Sequence, residues 1–320
     1  MRVIELIHPY SKEQVPADQV VLALGFFDGV HRGHQAVIRK AKQIAVQKGL
    51  LLAVMTFDIH PAIVYRNADR ESFRYLSTVE RKQELMAELG VDVFYIVHFN
   101  EAFAQLAPQT FVDQYLVALH ADTVVAGFDY TYGKKEIANM TTLSDYAKGR
   151  FAIVTVAEHD HNGVKIGSTL VREDLDAGKI AEANELLGYV YQTTGEVVHG
   201  EARGRELGFP TANIESQRPE RLPGIGIYAV RFLVRGQWYI GMASIGRNVT
   251  FHSNNPVTVE INLLDFNGDI YGEQVKVDWY HYLRGEVKFD SAEALIDQLH
   301  QDEADTRTYF EKLELSLIHI

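Results

Sequence analysis

Val20 to Leu24 is an uninterrupted apolar run that stops at Gly25. After a glycine-rich turn, Ala36, Val37, Ile44 and Ala45 recur at roughly helical spacing. The pattern predicts strand, turn, helix. A second apolar strand is expected over 50–57, and Ser77-Thr78-Val79-Glu80 has the form of a capping box opening a helix that runs to about Leu89. Further strands are expected over 91–97 and 123–127, with a helix over 109–119 between them. This alternation argues for a parallel sheet covered by helices, hence an α/β first domain. Two short helices, about 168–175 and 180–187, close it before Gly188.

The periodicity then changes. From Tyr189 to about Leu283 the chain is glycine-rich with alternating segments: TGEVVHG, GIYAVRFLV, WYIGMASIG, VTVEINLLDF and QVKVDWYHYL. Short strands with frequent turns predict a small antiparallel barrel or sandwich. A last helix is expected over 290–313, with Asp290 and Glu293 as a capping pair and Leu295, Ile296 and Leu299 along one face. At 320 residues the chain exceeds the usual size of a single core, so the change of pattern reads as a domain boundary. We expect domains at 1–185 and 186–315 and a tail at 316–320.

Composition narrows the function classes. Apolar residues make up 47% and charged residues 23%, leaving little room for long disordered segments. The 43 acidic and 31 basic side chains give a formal charge of −12, which repels a phosphate backbone, so nucleic acid is not an expected partner. Cysteine is absent, which removes disulfides, thiolate zinc sites and cysteine nucleophiles and fits a reducing cytoplasm. MRVIELIHPY lacks the apolar stretch of a signal peptide, and no run reaches the length of a membrane span. A cytoplasmic protein without membrane association is expected.

Candidate chemistry concentrates first in Gly25-Phe26-Phe27-Asp28-Gly29-Val30-His31-Arg32-Gly33-His34, between the first strand and helix of an α/β unit. Glycines let the backbone approach a phosphate, and the unpaired amides of a helix start favour an anion. His31 and His34 add side-chain donors. Transfer of a nucleotidyl group to a phosphate needs no protein nucleophile, so positioning and charge stabilisation supply most of the catalysis. Two plainer readings stand beside this one: a turn with two solvated histidines, or a metal site with His60 as a further ligand. A Gly-x-Gly-x-x-Gly is absent from this loop. The nearest approach to a Walker loop, Gly127 to Lys135, has five residues between its glycines and no Ser or Thr after Lys134.

Lys165-Ile166-Gly167-Ser168-Thr169-Leu170-Val171-Arg172 offers hydroxyls at a helix start, a lysine upstream and an arginine one turn in, suited to a leaving pyrophosphate. Its plain reading is an N-cap with surface charges. The second concentration is Gly195-x-Val-Val-x-Gly200-x-x-x-Gly204-Arg205-x-x-Gly208-Phe209-Pro210-Thr211-Ala212-Asn213. Pro210 biases Phe209 toward extended backbone, and in an extended chain Thr211 and Asn213 point the same way. Their oxygens suit a magnesium ion that already holds ATP phosphates; a glycine-bulged strand is the alternative. Downstream, Glu260 lies on the face opposite Val257, Val259, Ile261 and Leu263. It reads either as a proton acceptor or as ordinary surface polarity.

GFFDGVHRGH, TFDIHP (56–61), GFDYTYG (127–133) and GSTLVR occur in an order similar to the adenylyltransferase module of prokaryotic bifunctional riboflavin kinase/FAD synthetases, over residues 15–187. GRELGFPTANI, GIYAV (226–230), VEINLLDFNGDIYG and LRGEVKF (283–289) resemble the riboflavin kinase module of the same enzymes, over about 186–310. The resemblance implies a Rossmann-like nucleotidyltransferase domain followed by a six-stranded antiparallel barrel with a terminal helix. It implies two reactions: phosphorylation of riboflavin by ATP to FMN, and adenylylation of FMN by ATP to FAD, both with Mg²⁺. In the first module it implies ATP or phosphate contacts for Gly25, Phe27, Asp28, Gly29, His31, Gly33, His34, Lys165, Ser168, Thr169 and Arg172, with Asp129 near the nucleotide or flavin. In the second it implies Thr211 and Asn213 at magnesium and ATP. Glu260 would be the base for the riboflavin 5′-hydroxyl, and Gly204, Arg205, Gly208, Pro210 and Arg284 would lie around ATP and flavin. Gly167, Ser244 and Val249 depart from that family's usual residues, and Leu315 to Ile320 has no counterpart in it. A related nucleotidyltransferase acting on another phosphate ester, and a flavin-sensing protein without turnover, are the rival readings.

Overall fold

The computed structural model describes residues 1–158, 160–161, 164–200, 203–247 and 257–318, and its contacts divide the chain into two compact units, Met1–Ser168 and Thr169–Ile320. The first unit runs β1 (Arg2–Leu6), β2 (Val20–Leu24), α1 (Arg32–Lys48), β3 (Leu51–Phe57), α2 (Pro61–Tyr65), α3 (Val79–Glu88) and β4 (Val93–Val97). It continues through α4 (Glu101–Ala104), α5 (Pro108–Phe111), β5 (Ala121–Gly127), α6 (Leu143–Ala147) and β6 (Ala152–Val156), and a hairpin of β7 (Asp160–His161) and β8 (Val164–Lys165) follows. Strands one to six form a single sheet in the order β1-β4-β3-β2-β5-β6, parallel at every pairing.

The central strands β2 and β4 are buried along their whole length, which is why they read as continuous apolar runs. The edge strands β1 and β6 escaped the sequence reading for the converse reason. Arg2–Leu6 and Ala152–Val156 are mostly exposed or half-buried, so neither carries such a run. The helix expected over 109–119 exists as α5 continuing into a π-helical stretch, Val112–Val117. The capping box is corrected: Thr78, not Ser77, caps α3 by accepting from the Arg81 amide (3.2 Å), which leaves the Ser77 hydroxyl for another partner.

The second unit begins with α7 (Ser168–Asp176, its first residue at the unit boundary) and α8 (Ile180–Leu187). Then come β9 (Tyr191–Val198), a helical turn α9 (Arg203–Glu206), β10 (Thr211–Ser216), β11 (Gly226–Val234), β12 (Gln237–Arg247), β13 (Val257–Leu263), β14 (Gln274–Arg284) and the terminal helix α10 (Ala292–Ile318). The expected boundary at 185/186 and the contact boundary at 168/169 differ by α7 and α8. In the fold α8 packs on β14 and β9 of the barrel.

The six strands close into an antiparallel barrel in the order β10-β13-β12-β11-β14-β9, which selects the barrel over the sandwich. Alternate residues point inward: Tyr228, Val230 and Phe232 from β11, Val259 and Ile261 from β13, and Trp279 from β14 are buried. The Trp279 indole donates to Thr193 Oγ1 (2.9 Å), so the one polar atom of that large ring is satisfied inside the barrel. Helix α10 starts two residues later than expected and continues to Ile318, through three residues of the expected tail. Its first turn uses Ser291, whose hydroxyl accepts from the Ala294 amide (3.2 Å), in place of the expected Asp290 cap.

Candidate active sites

The sheet order makes β2 a switch strand, with β3 on one side and β5 on the other. A crevice outside the C-terminal ends of β2 and β5 is where an open α/β sheet offers a ligand site. Gly25 follows β2 and Gly127 ends β5, so two of the sequence motifs meet there. Asp129, two residues past β5, is exposed at that edge.

The Gly25–His34 segment is tightly bent. Phe27 (φ 54°), Gly29 (φ 76°) and Val30 (φ 36°) all lie in the left-handed region. For Phe and Val this conformation costs on the order of 1–3 kcal/mol each and persists only where surrounding bonds determine it. Those bonds are present. The Asp28 carboxylate, 2% exposed, accepts from the amides of Leu76 (3.0 Å) and Ser77 (3.2 Å), and Ser77 Oγ accepts from the Gly29 amide (2.9 Å). The Phe26 carbonyl accepts from Thr56 Oγ1 (2.8 Å) and Lys82 Nζ (2.9 Å), and Ser168 Oγ donates to the Asp28 carbonyl (2.9 Å). Asp28 is therefore a strut of the loop in this geometry. Ser168 joins the site through the same loop.

His31 caps α1, its Nδ1 accepting from the His34 amide (3.3 Å), so the neutral ring carries its proton on Nε2. The two imidazoles stack at 3.6 Å between centroids, and Phe27 meets His34 edge-on at 5.3 Å. A Cβ on Gly33 would approach the His31 ring to 3.2 Å, so glycine leaves that ring its room. His34 Nδ1 is buried and has no hydrogen-bond partner among the described residues. Burial, with repulsion from His31 and Lys82, holds the His34 pKa well below its ordinary value. The His34 ring is thus held neutral, beside His31 at the start of a 17-residue helix whose dipole also favours an anion.

His60 does not join them. Its Nδ1 caps α2 by accepting from the Ala62 amide (3.1 Å), and its ring packs on Phe26 and Phe73. Among the described residues no three His, Cys, Asp or Glu side chains are arranged to hold a metal ion. Thr169 and Arg172 follow Ser168 on α7, within the second unit. The Lys165 side chain lies outside the described residues, as does Val249.

In the barrel, α9 and the turn after it fold back on themselves: the Phe209 amide donates to the Gly204 carbonyl (2.8 Å), and Gly208 takes a left-handed φ of 83°. A Cβ on Gly204 would collide with the Phe209 carbonyl oxygen, so glycine is required there. Pro210 leads into β10. The Asn262 amide donates to its carbonyl (2.8 Å). Asn213 pairs with Glu260, and Glu260 with Ser244, so the three share the outer face of the barrel with Thr211. Thr211 Oγ1 donates to Glu260 Oε2 (3.3 Å).

A cavity of about 610 Å³ opens at one end of the barrel. Arg205, Pro210 and Thr211 line it on one side, and the Phe266–Tyr271 loop on another. Its size is that of a small-molecule site. Thr211 is common to this cavity and to the Glu260 carboxylate.

Arg284 is held within the fold itself. Its Nε and Nη2 fork onto Asp302 of α10 (2.8 and 2.6 Å), and Nη1 donates to the Gly285 carbonyl (3.0 Å). Asp302 is 2% exposed, so the pair fastens the terminal helix to β14. Arg284→Ala is expected to destabilise the second unit by about 3–5 kcal/mol, because a buried carboxylate loses its partner. Calorimetry is the measurement, and adding Asp302→Asn should recover part of the loss.

Sequence reading missed Ser77, Lys82 and the cavity loop. Lys82 shares the buried face of α3 with Leu85 and Met86, at helical spacing, so a cation at a core position was the available signal. For the loop it was Asn267-Gly268 inside a motif whose residues were not assigned.

Known proteins carry the same two halves. The family model described as FAD synthetase matches residues 13–170 and that described as riboflavin kinase matches residues 187–310. Relatives named bifunctional riboflavin kinase/FMN adenylyltransferase include that of Listeria monocytogenes, 51% identical over 98% of this chain and 100% of its own length. That of Bacillus subtilis is 41% identical over 98% and 99%. A solved structure described as a macrolide-efflux protein from Streptococcus pneumoniae superposes with a TM-score of 0.87 at 35% identity, covering 96% of this chain and 99% of that one. The efflux role in that name belongs to that protein's description; among the described residues of this chain no helix is long and apolar enough to cross a membrane. The two family models in this order, and near-complete coverage by these relatives, place the chain in the bifunctional riboflavin kinase/FMN adenylyltransferase family.

Proposed function

We propose that the barrel transfers the γ-phosphoryl group of ATP to riboflavin, giving FMN and ADP. The α/β unit then transfers the adenylyl group of a second ATP to FMN, giving FAD and pyrophosphate. The catalytic modules are 1–185 and 186–315, and the substrates are riboflavin, FMN and ATP in the cytoplasm. The observation that carries the kinase reading is the position of Thr211, shared by the cavity and Glu260. ATP occupies the cavity with its triphosphate toward Thr211, and the riboflavin 5′-hydroxyl approaches on the Glu260 side. The hydroxyl oxygen attacks the γ-phosphorus, the bond to the bridging oxygen breaks, and the proton passes to Glu260.

Mg²⁺ fits this donor set. The ion is bound by one or two protein oxygens plus phosphates and water, and the Thr211 hydroxyl and Asn213 amide oxygen share a face beside a carboxylate. When bound it neutralises charge on the transferred phosphate. In the first module an FMN phosphate oxygen attacks the α-phosphorus of ATP, and pyrophosphate leaves. His31 and His34 donate to the charge that develops, with Ser168, Thr169, Arg172 and Lys165 on the phosphates and Asp129 toward the nucleotide or flavin.

Incubation with riboflavin, ATP and Mg²⁺, followed by separation of the flavins, should yield FMN and then FAD, and a chelator should stop both steps. FAD from supplied FMN with no phosphorylation of riboflavin would leave only a nucleotidyltransferase. Bound but unchanged flavin would indicate a sensor.

A further inference from the structure

We propose that Lys82 is a positioning residue of the adenylyl-transfer site, a buried cation that locks the Gly25–His34 loop and sets the potential beneath it. The inference rests on the adenylyltransferase reading of that loop. Lys82 is 1% exposed, and its ammonium donates to the Phe26 carbonyl (2.9 Å) and sits 3.8 Å above the Phe26 ring centroid. It thereby grips the residue just before the strained Phe27 turn from both its backbone and its side chain. The same carbonyl is held by Thr56 from β3, so Lys82 and Thr56 together fix the exit of β2.

A core position on α3 could take an apolar residue of similar length at lower cost, because burying an ammonium among apolar atoms is expensive. Burial lowers the Lys82 pKa to about 8, against the upward pull of Asp28 and Asp58. The groups facing it are Asp28 on the loop, Asp58 after β3 and His34 on α1, whose own protonation Lys82 opposes. His60 and Tyr75 also pack on Phe26. A fixed positive charge here, where the loop must receive polyphosphate, keeps the anion attracted while His34 stays neutral. Loss of the proton above pH 8 removes that attraction and weakens the grip on Phe26.

The test uses full-length protein, with Lys82→Met and Lys82→Arg assayed for FMN to FAD and, on the same preparations, for riboflavin to FMN. Lys82→Met should lower kcat of adenylyl transfer on the order of 10- to 100-fold, as expected for a displaced phosphate loop, with kinase activity unchanged. The wild-type kcat should fall on a basic limb near pH 8; Lys82→Met should lack that limb, and Lys82→Arg should retain kcat and remain active above it. Wild-type kcat in Lys82→Met, or a wild-type profile without the limb, would overturn the inference. If Lys82→Met fails to fold, a basic limb in Lys82→Arg coincident with that of the wild type overturns it equally. Failure of the adenylyltransferase reading is distinguishable, since the wild type would then make no FAD.

Discussion

Replacing Glu260 by Gln is expected to slow riboflavin phosphorylation by about 10²- to 10⁴-fold, the range for loss of a positioned general base, while conversion of supplied FMN to FAD continues at the wild-type rate. The substitution is mild for the fold. Glu260 is half-buried on an outer strand face, and a glutamine oxygen can still accept from Thr211 Oγ1 as the carboxylate does at 3.3 Å. The pairings to Asn213 and Ser244 are made by backbone, so the barrel register survives. What is lost is the capacity to take a proton. A drop in kcat with little change in KM for ATP separates this from damage to the cavity, which Glu260 does not line. Retention of kinase activity in Glu260→Gln would remove Glu260 as the base, and loss of both reactions would remove the independence of the sites.

Legibility in the sequence followed burial. Strands enclosed on both faces, such as Val20–Leu24, and the alternating barrel strands were readable because one physical pattern determines each. The edges β1 and β6 were not, because half-exposed strands carry no continuous stripe. At the candidate sites, the clustered glycines, histidines and hydroxyls were legible as motifs. The residues that hold those motifs were not, because their contacts are long-range. Ser77 looked like a helix cap but bonds the Gly29 amide 48 positions away. Lys82 reaches Phe26 across 56 positions. Arg284 pairs with Asp302 across 18 positions, and nothing local to LRGEVKF announces a buried acid on the final helix.

The two depressed pKa values of the first site both lower stability as pH falls, in different windows. His34 has its pKa depressed in the fold, so between that value and the ordinary 6.5 the unfolded chain binds more protons, and stability falls as pH drops through 6.5. Lys82 behaves likewise at higher pH: from 10.5 down to about 8 the unfolded chain again binds the extra proton, so this group's contribution falls with decreasing pH over that window and is constant below it. The protein therefore carries a charged Lys82 at neutral pH at a standing cost to stability. Such a cost is what a site under functional constraint would show.

His31→Ala combined with His34→Ala should abolish FAD formation by about 10²- to 10³-fold or more, the scale for removing oriented donors from a developing anion, and FMN should accumulate from riboflavin at the wild-type rate. The pair is the sharper variant because the rings stack at 3.6 Å and His31 also caps α1 through the His34 amide, so either ring can cover part of the other's loss. Losing the cap costs about 1 kcal/mol, whereas the loop retains Asp28, Ser77 and Thr56 as its struts. The catalytic loss should therefore far exceed any loss of fold. His31→Asn with His34→Asn checks this, since asparagine restores the cap but not the ring donors: it should recover stability without recovering FAD synthesis. If instead the asparagine pair made FAD at the wild-type rate, the imidazole rings would not be needed for the transfer.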